Sequence, residues 1–133
     1  SNGAVVIDDT YNANPDSMKA AIDVLANQHG TKIFVMGDMA ELGTDAPEMH
    51  ADIGSYARQK GISQLLTFGD LSARASKAFG EAAQHFNKLE VLVAHLKQML
   101  DANTTVLVKG SRFMQMEQVV DQILEKNNSQ GGR

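Results

Sequence analysis

The sequence predicts an α/β fold in which a mainly parallel β-sheet carries helices on both faces. Short apolar runs alternate five times with longer segments whose apolar residues recur at helical spacing. The first run, Ala4-Val5-Val6-Ile7, contains no polar residue, which is typical of strands buried on both faces. Strands that alternate with helices in this way form parallel sheets between two layers of helices.

Five strands are predicted, each a short run rich in apolar or β-branched residues. They span residues 4–7, 32–36, 64–68, 84–86 and 104–108, and the fourth is the weakest. Between and after them, apolar residues at helical spacing mark one buried face on each of five helices. These residues are Met18, Ile22 and Leu25; Met49, Ile53 and Tyr56; Leu71, Ala75 and Phe79; Leu89, Leu92, Val93 and Leu96, with Met99 or Leu100; and Met116, Val119, Val120, Ile123 and Leu124.

The starts of the helices carry their own signals. Asn14 is expected to cap the first helix, with Pro15 at its first position. Two capping boxes are predicted for the second and fourth helices, from the pairs Asp45/Glu48 and Asn87/Glu90. The last helix is expected to follow Lys109-Gly110-Ser111-Arg112 directly.

Length and charge bound the class of protein. A chain of 133 residues fits one domain with a single core. A hydrophobic content of 43% and a charged content of 21% are typical of soluble globular proteins. The formal net charge is −4, and no basic cluster is interleaved with aromatic residues, so neither a nucleic acid nor a membrane is expected as a partner.

The chain contains no cysteine, which excludes disulfides, thiolate catalysis and cysteine-ligated zinc. The absence of cysteine suits a reducing compartment. No apolar run approaches the roughly 20 residues that span a bilayer, and no signal peptide is expected, because the first residues lead directly into a strand.

Right-handed crossovers bring every strand-to-helix loop to one edge of a parallel sheet, where open α/β sheets bind their ligands. The polar residues of these loops are Asp8, Asp9, Asn12, Asn14, Asp38, Glu41, Asp70, Asn87, Lys109, Ser111 and Arg112. The loops at the other edge carry fewer such side chains. We therefore expect the candidate site at the carboxyl edge of the sheet.

The loop after the first strand is the strongest candidate. Asp9 could accept hydrogen bonds from a ribose diol, or it could bond its own backbone in a turn. Asn12 and Asn14 could contact the polar edge of a base, although capping of the helix is the stronger alternative for Asn14. Tyr11 could stack on a ring or simply pack.

Two further loops are candidates. In the loop from Gly37 to Gly43, Asp38 and Glu41 could position the loop or hold a water molecule, but they are too few to predict a magnesium cage. A single His50 on the following helix is more often structural than catalytic.

The second-best signal is the segment Lys109-Gly110-Ser111-Arg112. Two cations and a hydroxyl at the start of a helix favour a carboxylate or phosphate ligand. The alternative is that Ser111 caps the helix and both cations are solvated.

Other chemistry is missing from the sequence. Neither GxGxxG after the first strand nor GxxxxGK[ST] occurs, so the domain is not expected to grip a triphosphate or a dinucleotide by itself. No nucleophile, base and orienting residue can be assembled, no paired catalytic carboxylates stand out, and the histidines show no metal-ligand spacing. The residues thus predict a domain that contacts substrate or nucleotide, with no catalytic or metal-binding residue of its own.

Three segments in order closely resemble the C-terminal domain of the Mur ligases. They are Asp9-Thr10-Tyr11-Asn12-Ala13-Asn14-Pro15, then Gly37-Asp38-Met39-Ala40-Glu41-Leu42-Gly43, then Lys109-Gly110-Ser111-Arg112 with Met116-Glu117. Within the family they are most similar to the member that adds D-alanyl-D-alanine. The resemblance covers essentially the whole chain. It implies a Rossmann-like three-layer sandwich with about five or six strands.

The resemblance implies an ATP-dependent, amide-forming ligase of bacterial peptidoglycan synthesis, cytoplasmic and monomeric. ATP would convert the carboxylate of UDP-N-acetylmuramoyl-tripeptide to an acyl phosphate, which the amine of D-alanyl-D-alanine attacks. Family members hold the P-loop and Mg²⁺ in a central domain and the UDP group in an N-terminal domain, and neither matches this sequence. Residues 1–126 would form the C-terminal domain, residues 127–133 would be a flexible tail, and the isolated fragment is expected to be inactive.

The resemblance also assigns residues. Asp9, Tyr11, Asn12 and Asn14 would approach the adenine and ribose of ATP, and Lys109, Ser111 and Arg112 would lie near the carboxylate of the dipeptide. Asp38, Glu41 and His50 match family positions without an assigned role. The alternative hypothesis is a stand-alone α/β module that binds an anion or a scaffold partner without catalysis.

Overall fold

The structure, a computed structural model, describes residues 3–131 and the side chains of residues 3–124. In this part of the chain, five strands form one sheet: β1 Val5–Asp9, β2 Thr31–Gly37, β3 Gln64–Phe68, β4 Ala83–Phe86 and β5 Thr104–Lys109. The spatial order is β1-β5-β2-β3-β4, and every neighbouring pair is parallel. The predicted α/β fold with a parallel sheet is therefore confirmed, with five strands.

Five α-helices cover the two faces of this sheet. They are α1 Pro15–Ala26, α2 Ala46–Gln59, α3 Ala73–Phe79, α4 Leu89–Met99 and α5 Glu117–Gly131. Helices α1, α2 and α3 bury their apolar sides in one core, and α4 and α5 bury theirs in the other. Neighbouring residues of β2 supply opposite cores, as Phe34 does for the first and Val35 for the second, because successive side chains of a strand alternate.

The start of α1 agrees with the sequence. Asn14 Oδ1 accepts a hydrogen bond from the backbone N–H of Ser17 at 2.8 Å, and Ser17 Oγ accepts one from the N–H of Asn14 at 2.9 Å. This reciprocal pair caps the helix ahead of Pro15.

Both of the other predicted capping boxes are wrong. Asp45 does precede α2, but it ends a short 3₁₀ turn and lacks the extended backbone with which a cap side chain reaches the helix N–H groups. For α4 the cap position is Lys88 rather than Asn87, so Glu90 falls one position too early for a box.

The last helix also differs from the prediction. A 3₁₀ turn, Arg112–Met114, and the left-handed residue Gln115 separate the 109–112 segment from α5, which begins at Glu117. Lys109, Ser111 and Arg112 are therefore not at the N-terminus of an α-helix.

The predicted tail begins within α5, whose backbone helix continues to Gly131. Residues 132 and 133 and the side chains beyond residue 124 lie outside the described residues, so the flexibility of residues 127–133 stays a prediction. Over the described residues, no helix has both the length and the apolar character that crossing a membrane requires.

Candidate functional site

The candidate site lies where β1 and β5 end side by side. Asp9 is aligned with Lys109, and on the other side of β5 Lys109 is aligned with Met36, so the loops after β1, β5 and β2 meet at one edge. The expectation that the first and last polar loops of the chain share one edge is confirmed.

Two glycines allow the loops after β2 and β5 to approach each other. A Cβ on Gly110 would lie 2.7 Å from Met116 Cγ and 3.1 Å from the Cα of Gly37. A Cβ on Gly37 would lie 2.8 Å from Met116. These distances are shorter than ordinary packing allows. A side chain at Gly110 would meet the backbone of Gly37 and force the two loops apart, whereas one at Gly37 would displace the side chain of Met116.

The loop between β1 and α1 is shaped by its own side chains. Asp8 Oδ1 accepts hydrogen bonds from the backbone N–H and the hydroxyl of Thr10, at 3.2 and 2.7 Å. Asn12 Oδ1 accepts one from the N–H of Ala13 at 2.9 Å. The side chain of Asn14 caps α1, whereas that of Asn12 bonds only within a local turn.

Lys109, the last residue of β5, links that strand to the β1–α1 loop. Its side chain is almost fully buried, and its Nζ lies 3.1 Å from Asp9 Oδ1 and donates a hydrogen bond to the carbonyl of Asn12 at 2.8 Å. The ammonium is thus held by the last residue of β1 and by a residue of the β1–α1 loop.

Arg112, the second cation of the segment, is exposed instead. Its guanidinium carbon lies 4.8 Å from the centroid of the Tyr11 ring, and Nη1 lies 3.5 Å from the Tyr11 hydroxyl. The geometry is that of a cation–π pair. Tyr11 is 70% exposed, so this pair stands at the surface of the edge.

An open cavity of about 390 Å³ lies against this pair, lined by Asp8, Asp9, Thr10, Tyr11, Arg112 and Glu117. Three of its residues are acidic and one is cationic. A carboxylate can accept hydrogen bonds from the hydroxyls of a sugar, whereas three carboxylates repel a polyphosphate. The cavity is chemically suited to a neutral, hydroxyl-bearing or ring-shaped group.

Asp38 ties the loop after β2 to two other loops. Its Oδ1 accepts hydrogen bonds from the N–H and the hydroxyl of Ser72 at 2.8 and 2.6 Å, and Oδ2 accepts one from the N–H of Leu71 at 3.2 Å. Its backbone carbonyl accepts one from the N–H of Ser111 at 2.9 Å. The buried carboxylate therefore holds together the loops after β2, β3 and β5.

His50 is fully buried beneath the Gly37 to Gly43 loop. Its Nε2 accepts a hydrogen bond from the N–H of Met39 at 3.0 Å, and its Nδ1 lies 2.7 Å from the carbonyl of Ala46. These two contacts require a neutral ring with the proton on Nδ1. Glu41, by contrast, is exposed and has a positive φ of 59°.

Ser111 is buried, and its Oγ has no hydrogen-bond partner among the described residues. Its backbone is fully used, because the N–H donates to Asp38 and the carbonyl accepts from Met114. A buried hydroxyl without a partner costs about 1–3 kcal/mol, so this side chain is not explained by folding alone.

Of the residues predicted from the sequence, the structure brings Asp9, Tyr11 and Arg112 to the cavity. Lys109 and Ser111 lie beneath the surface beside them. Sequence reasoning did not select Asp8, Thr10 or Glu117 as site residues, although all three line the cavity. Their positions in the sequence could have identified them. Asp8 and Thr10 are the neighbours of Asp9, and Glu117 is the last residue of the third segment that resembles the Mur ligases.

Within the part of the chain that the structure describes, no group of three or more His, Asp or Glu side chains is arranged to hold a metal ion.

Comparison with known proteins gives one family. The family model described as "Mur ligase, glutamate ligase domain" matches residues 1–112. The UDP-N-acetylmuramoyl-tripeptide–D-alanyl-D-alanine ligase of Escherichia coli is 41% identical over 123 residues, and that of Buchnera aphidicola from Acyrthosiphon pisum is 40% identical over 125. These matches cover 91% and 92% of this chain and 27% of each relative, so the chain spans about a quarter of their length.

Solved structures agree with the sequence relatives. A crystal structure of MurF from Acinetobacter baumannii superposes with a TM-score of 0.86 at 32% identity, covering 94% of this chain and 29% of that one. MurF ligase from Thermotoga maritima in complex with ADP superposes with a TM-score of 0.84 at 26% identity, covering 96% and 30%.

Proposed function

The chain belongs to the Mur ligase family, and from that premise we propose that it is the C-terminal domain of an ATP-dependent ligase that joins D-alanyl-D-alanine to UDP-N-acetylmuramoyl-tripeptide. Similarity to the two ligases of that name over more than nine-tenths of the chain supports the substrate assignment. Similarity to a MurF ligase crystallised with ADP supports the nucleotide.

In the proposed reaction, the γ-phosphoryl group of ATP passes to the terminal carboxylate of the tripeptide, giving an acyl phosphate and ADP. The amine of D-alanyl-D-alanine then attacks the acyl carbon, the C–N bond forms, and phosphate leaves with its bonding electrons as the amine loses a proton. An acyl phosphate is hydrolysed readily, so the site must exclude water, which domain closure achieves.

This domain supplies one wall of that closed site. The observation that carries the proposal is the acidic cavity at the carboxyl edge, with the Tyr11–Arg112 pair beside it. Asp9 accepts hydrogen bonds from the ribose hydroxyls, and Tyr11 and Asn12 contact the adenine. Asn14 supports this contact as the cap of α1. The three acids of the cavity keep the phosphates away from this wall, which agrees with the missing phosphate-binding sequence.

Exposed aromatic residues on the same edge favour closure against another domain. Tyr11 and Phe113 are 70% and 64% exposed and both lie in loops of the carboxyl edge. Large exposed apolar side chains at one edge of a protein are typical of surfaces that a partner covers.

Arg112 binds the carboxylate of the dipeptide in this proposal, since its guanidinium is exposed and can form two parallel hydrogen bonds to a carboxylate. The unpartnered hydroxyl of Ser111, next to it in the chain, is the second group assigned to this carboxylate in the proposal, although its Oγ is buried in this structure. Asp38 and His50 act indirectly, by fixing the loop that contains Glu41.

Other parts of the reaction belong to other domains of the parent enzyme. In this proposal the central domain holds Mg²⁺ and the P-loop. The N-terminal domain holds the UDP group. We propose that the parent enzyme is a bacterial, cytoplasmic monomer.

The test is steady-state kinetics of the parent enzyme. We expect Asp9→Ala to raise the KM for ATP about tenfold or more, as loss of a hydrogen bond to a charged group would, with the KM for D-alanyl-D-alanine changed by less than about twofold. Arg112→Ala should raise the KM for the dipeptide by a similar factor.

The matched control is Asp16→Ala, which removes an exposed acid from the first turn of α1, outside the cavity. This variant should keep both KM values within about twofold of wild type. If Asp9→Ala and Arg112→Ala match this control, the assignment of the site is wrong. If the wild-type parent enzyme does not join D-alanyl-D-alanine to the tripeptide with ATP, the proposed reaction is wrong.

A further inference from the structure

Lys109 and Arg112 are three residues apart, but the structure uses the two cations differently. Arg112 is exposed at the cavity, whereas the side chain of Lys109 is only 4% exposed. The sequence placed both near the carboxylate of the dipeptide. The contacts of Lys109 indicate a different role from that of Arg112.

The ammonium of Lys109 is directed into the β1–α1 loop. Its Nζ is 3.1 Å from Asp9 Oδ1 and 2.8 Å from the carbonyl oxygen of Asn12. Both acceptors belong to the segment from Asp9 to Asn14 that is proposed to contact adenine and ribose. A buried ammonium with two of its three donors used inside the protein has little capacity left for an external carboxylate.

The pairing also acts on Asp9 directly. Asp9 is 43% exposed at its side chain, and its Oδ1 is held by Lys109. Since Asp9 and Lys109 are aligned on neighbouring strands, the ion pair fixes the orientation of the carboxylate relative to the sheet. The bond to Asn12 fixes the backbone three residues further along the same loop.

We propose that Lys109 is a positioning residue for the nucleotide, which holds Asp9 and the Asn12 backbone in their binding geometry, and that it does not bind the dipeptide. This inference rests on the proposed function of the site. It predicts that replacing Lys109 has the same effect on the KM for ATP as replacing Asp9. It also predicts that Arg112 contacts the dipeptide without help from Lys109.

The first test is kinetics of the parent enzyme carrying Lys109→Met, which keeps the length of the side chain and removes the ammonium. We expect the KM for ATP to rise about tenfold or more, with the KM for D-alanyl-D-alanine within about twofold. Combined with Asp9→Asn, the second substitution should add less than about twofold, since both remove the same contact. Lys109→Arg, which keeps the charge, should restore part of the affinity for ATP.

The matched control is Lys32→Met. Lys32 is also a strand lysine, and its Nζ donates to the carbonyl of Ala26 at 2.9 Å, but it lies at the opposite edge of the sheet. Its replacement costs a comparable backbone hydrogen bond and should leave both KM values within about twofold. A rise in the KM for the dipeptide with an unchanged KM for ATP in Lys109→Met would overturn the inference.

A second test does not depend on activity. In NMR spectra of the 133-residue chain, Lys109→Met should shift the amide signals of residues 9–14, whereas Lys32→Met should not. If the loop signals do not move, Lys109 does not position the loop, whatever the parent enzyme catalyses. If Lys109→Met does not fold, Lys109→Arg and Asp9→Asn carry the same comparison, and unchanged loop signals in both would contradict the inference.

Discussion

Asn12 and Asn14 lie two residues apart in the β1–α1 loop, but their side chains make different contacts. Asn14 exchanges hydrogen bonds with Ser17 across the first turn of α1, whereas Asn12 Oδ1 bonds only to the next backbone N–H. The cap is a requirement of folding, and the free part of the Asn12 amide is available to a ligand. The sequence could not separate these two roles because asparagine suits both a turn and a helix cap.

We therefore predict that the two alanine variants differ in stability. Asn14→Ala should lower the free energy of unfolding of the 133-residue chain by about 1 kcal/mol, the usual cost of a lost cap. Asn12→Ala should change it by less than about 0.5 kcal/mol. Urea unfolding followed by circular dichroism measures both, and equal losses would show that Asn14 does not cap α1 in solution.

Helices α2 and α3 pack closely against each other at a glycine of α2. A Cβ added to Gly54 of α2 would lie 2.1 Å from the carbonyl oxygen of Ala75 in α3. Gly54 is buried and helical, so a glycine is needed here because it leaves space for α3, and not because the backbone conformation is unusual. The contact fixes α2, and with it His50 and the loop that His50 supports.

Gly54→Ala tests this contact. An alanine is intrinsically better in a helix by up to about 1 kcal/mol, but here it must push two helices apart, at a cost of about 1–3 kcal/mol. We expect a net loss of stability in urea unfolding. Ser55→Ala, one position further along the same helix, should stay within about 0.5 kcal/mol of wild type. An unchanged or raised stability of Gly54→Ala would contradict the close packing.

A polar cluster links β3, α3 and β4. The hydroxyl of Thr67 lies 2.8 Å from Ser76 Oγ and 2.7 Å from His85 Nδ1. Burial lowers the pKa of His85 below its ordinary value of 6.5, against the opposing effect of the carboxylates of Asp38 and Asp70. The neutral ring is thus the form that the fold favours.

The lowered pKa predicts a pH dependence of stability. Because the unfolded chain binds a proton at His85 more readily than the folded one, the contribution is present above pH 6.5 and is lost as the pH falls through the folded pKa. We expect His85→Asn, which keeps an acceptor for Thr67 but cannot titrate there, to show a smaller loss of stability on acidification. The free energy of unfolding is measured by urea unfolding at a series of pH values below 6.5. An equal dependence on pH in the variant and the wild type would refute the prediction.

The order and type of the elements were predictable because each strand and each helix carries its own period of apolar residues. Helix starts were less predictable. Asp45 has the right residue type and spacing for a capping box, but the preceding 3₁₀ turn gives it the wrong backbone, which no local pattern records. The α4 box failed by one residue.

At the site, the sequence identified the loops but not the depth of each side chain. Lys109 and Arg112 have the same sign of charge in the same segment, and only the structure shows that Lys109, at the end of β5, is buried and that Arg112, in the following turn, is exposed. The 3₁₀ turn before α5 could not be foreseen either, because it depends on the packing of Met116 against Gly37 and Gly110. Tertiary contacts decided both features.

Across the whole molecule, the two edges of the sheet differ in what their polar groups do. At the amino edge some of them bond to nearby backbone, as the ammonium of Lys32 does to the carbonyl of Ala26 and the carboxylate of Asp101 does to the N–H of Asn103. At the carboxyl edge, Asp38 and Lys109 hold the loops together from below, while Asp9 and Arg112 remain open to a ligand. This division of roles leaves an exposed surface of mixed charge at the carboxyl edge.

The most direct test of this account is an NMR titration of the isotopically labelled 133-residue chain with ATP at millimolar concentration. We predict weak binding, with amide shifts concentrated in residues 8–14 and 109–117, on the two loops that line the cavity. Shifts centred on the amino edge, around residues 28–32, 58–62 and 101–104, or no shifts at all, would contradict it.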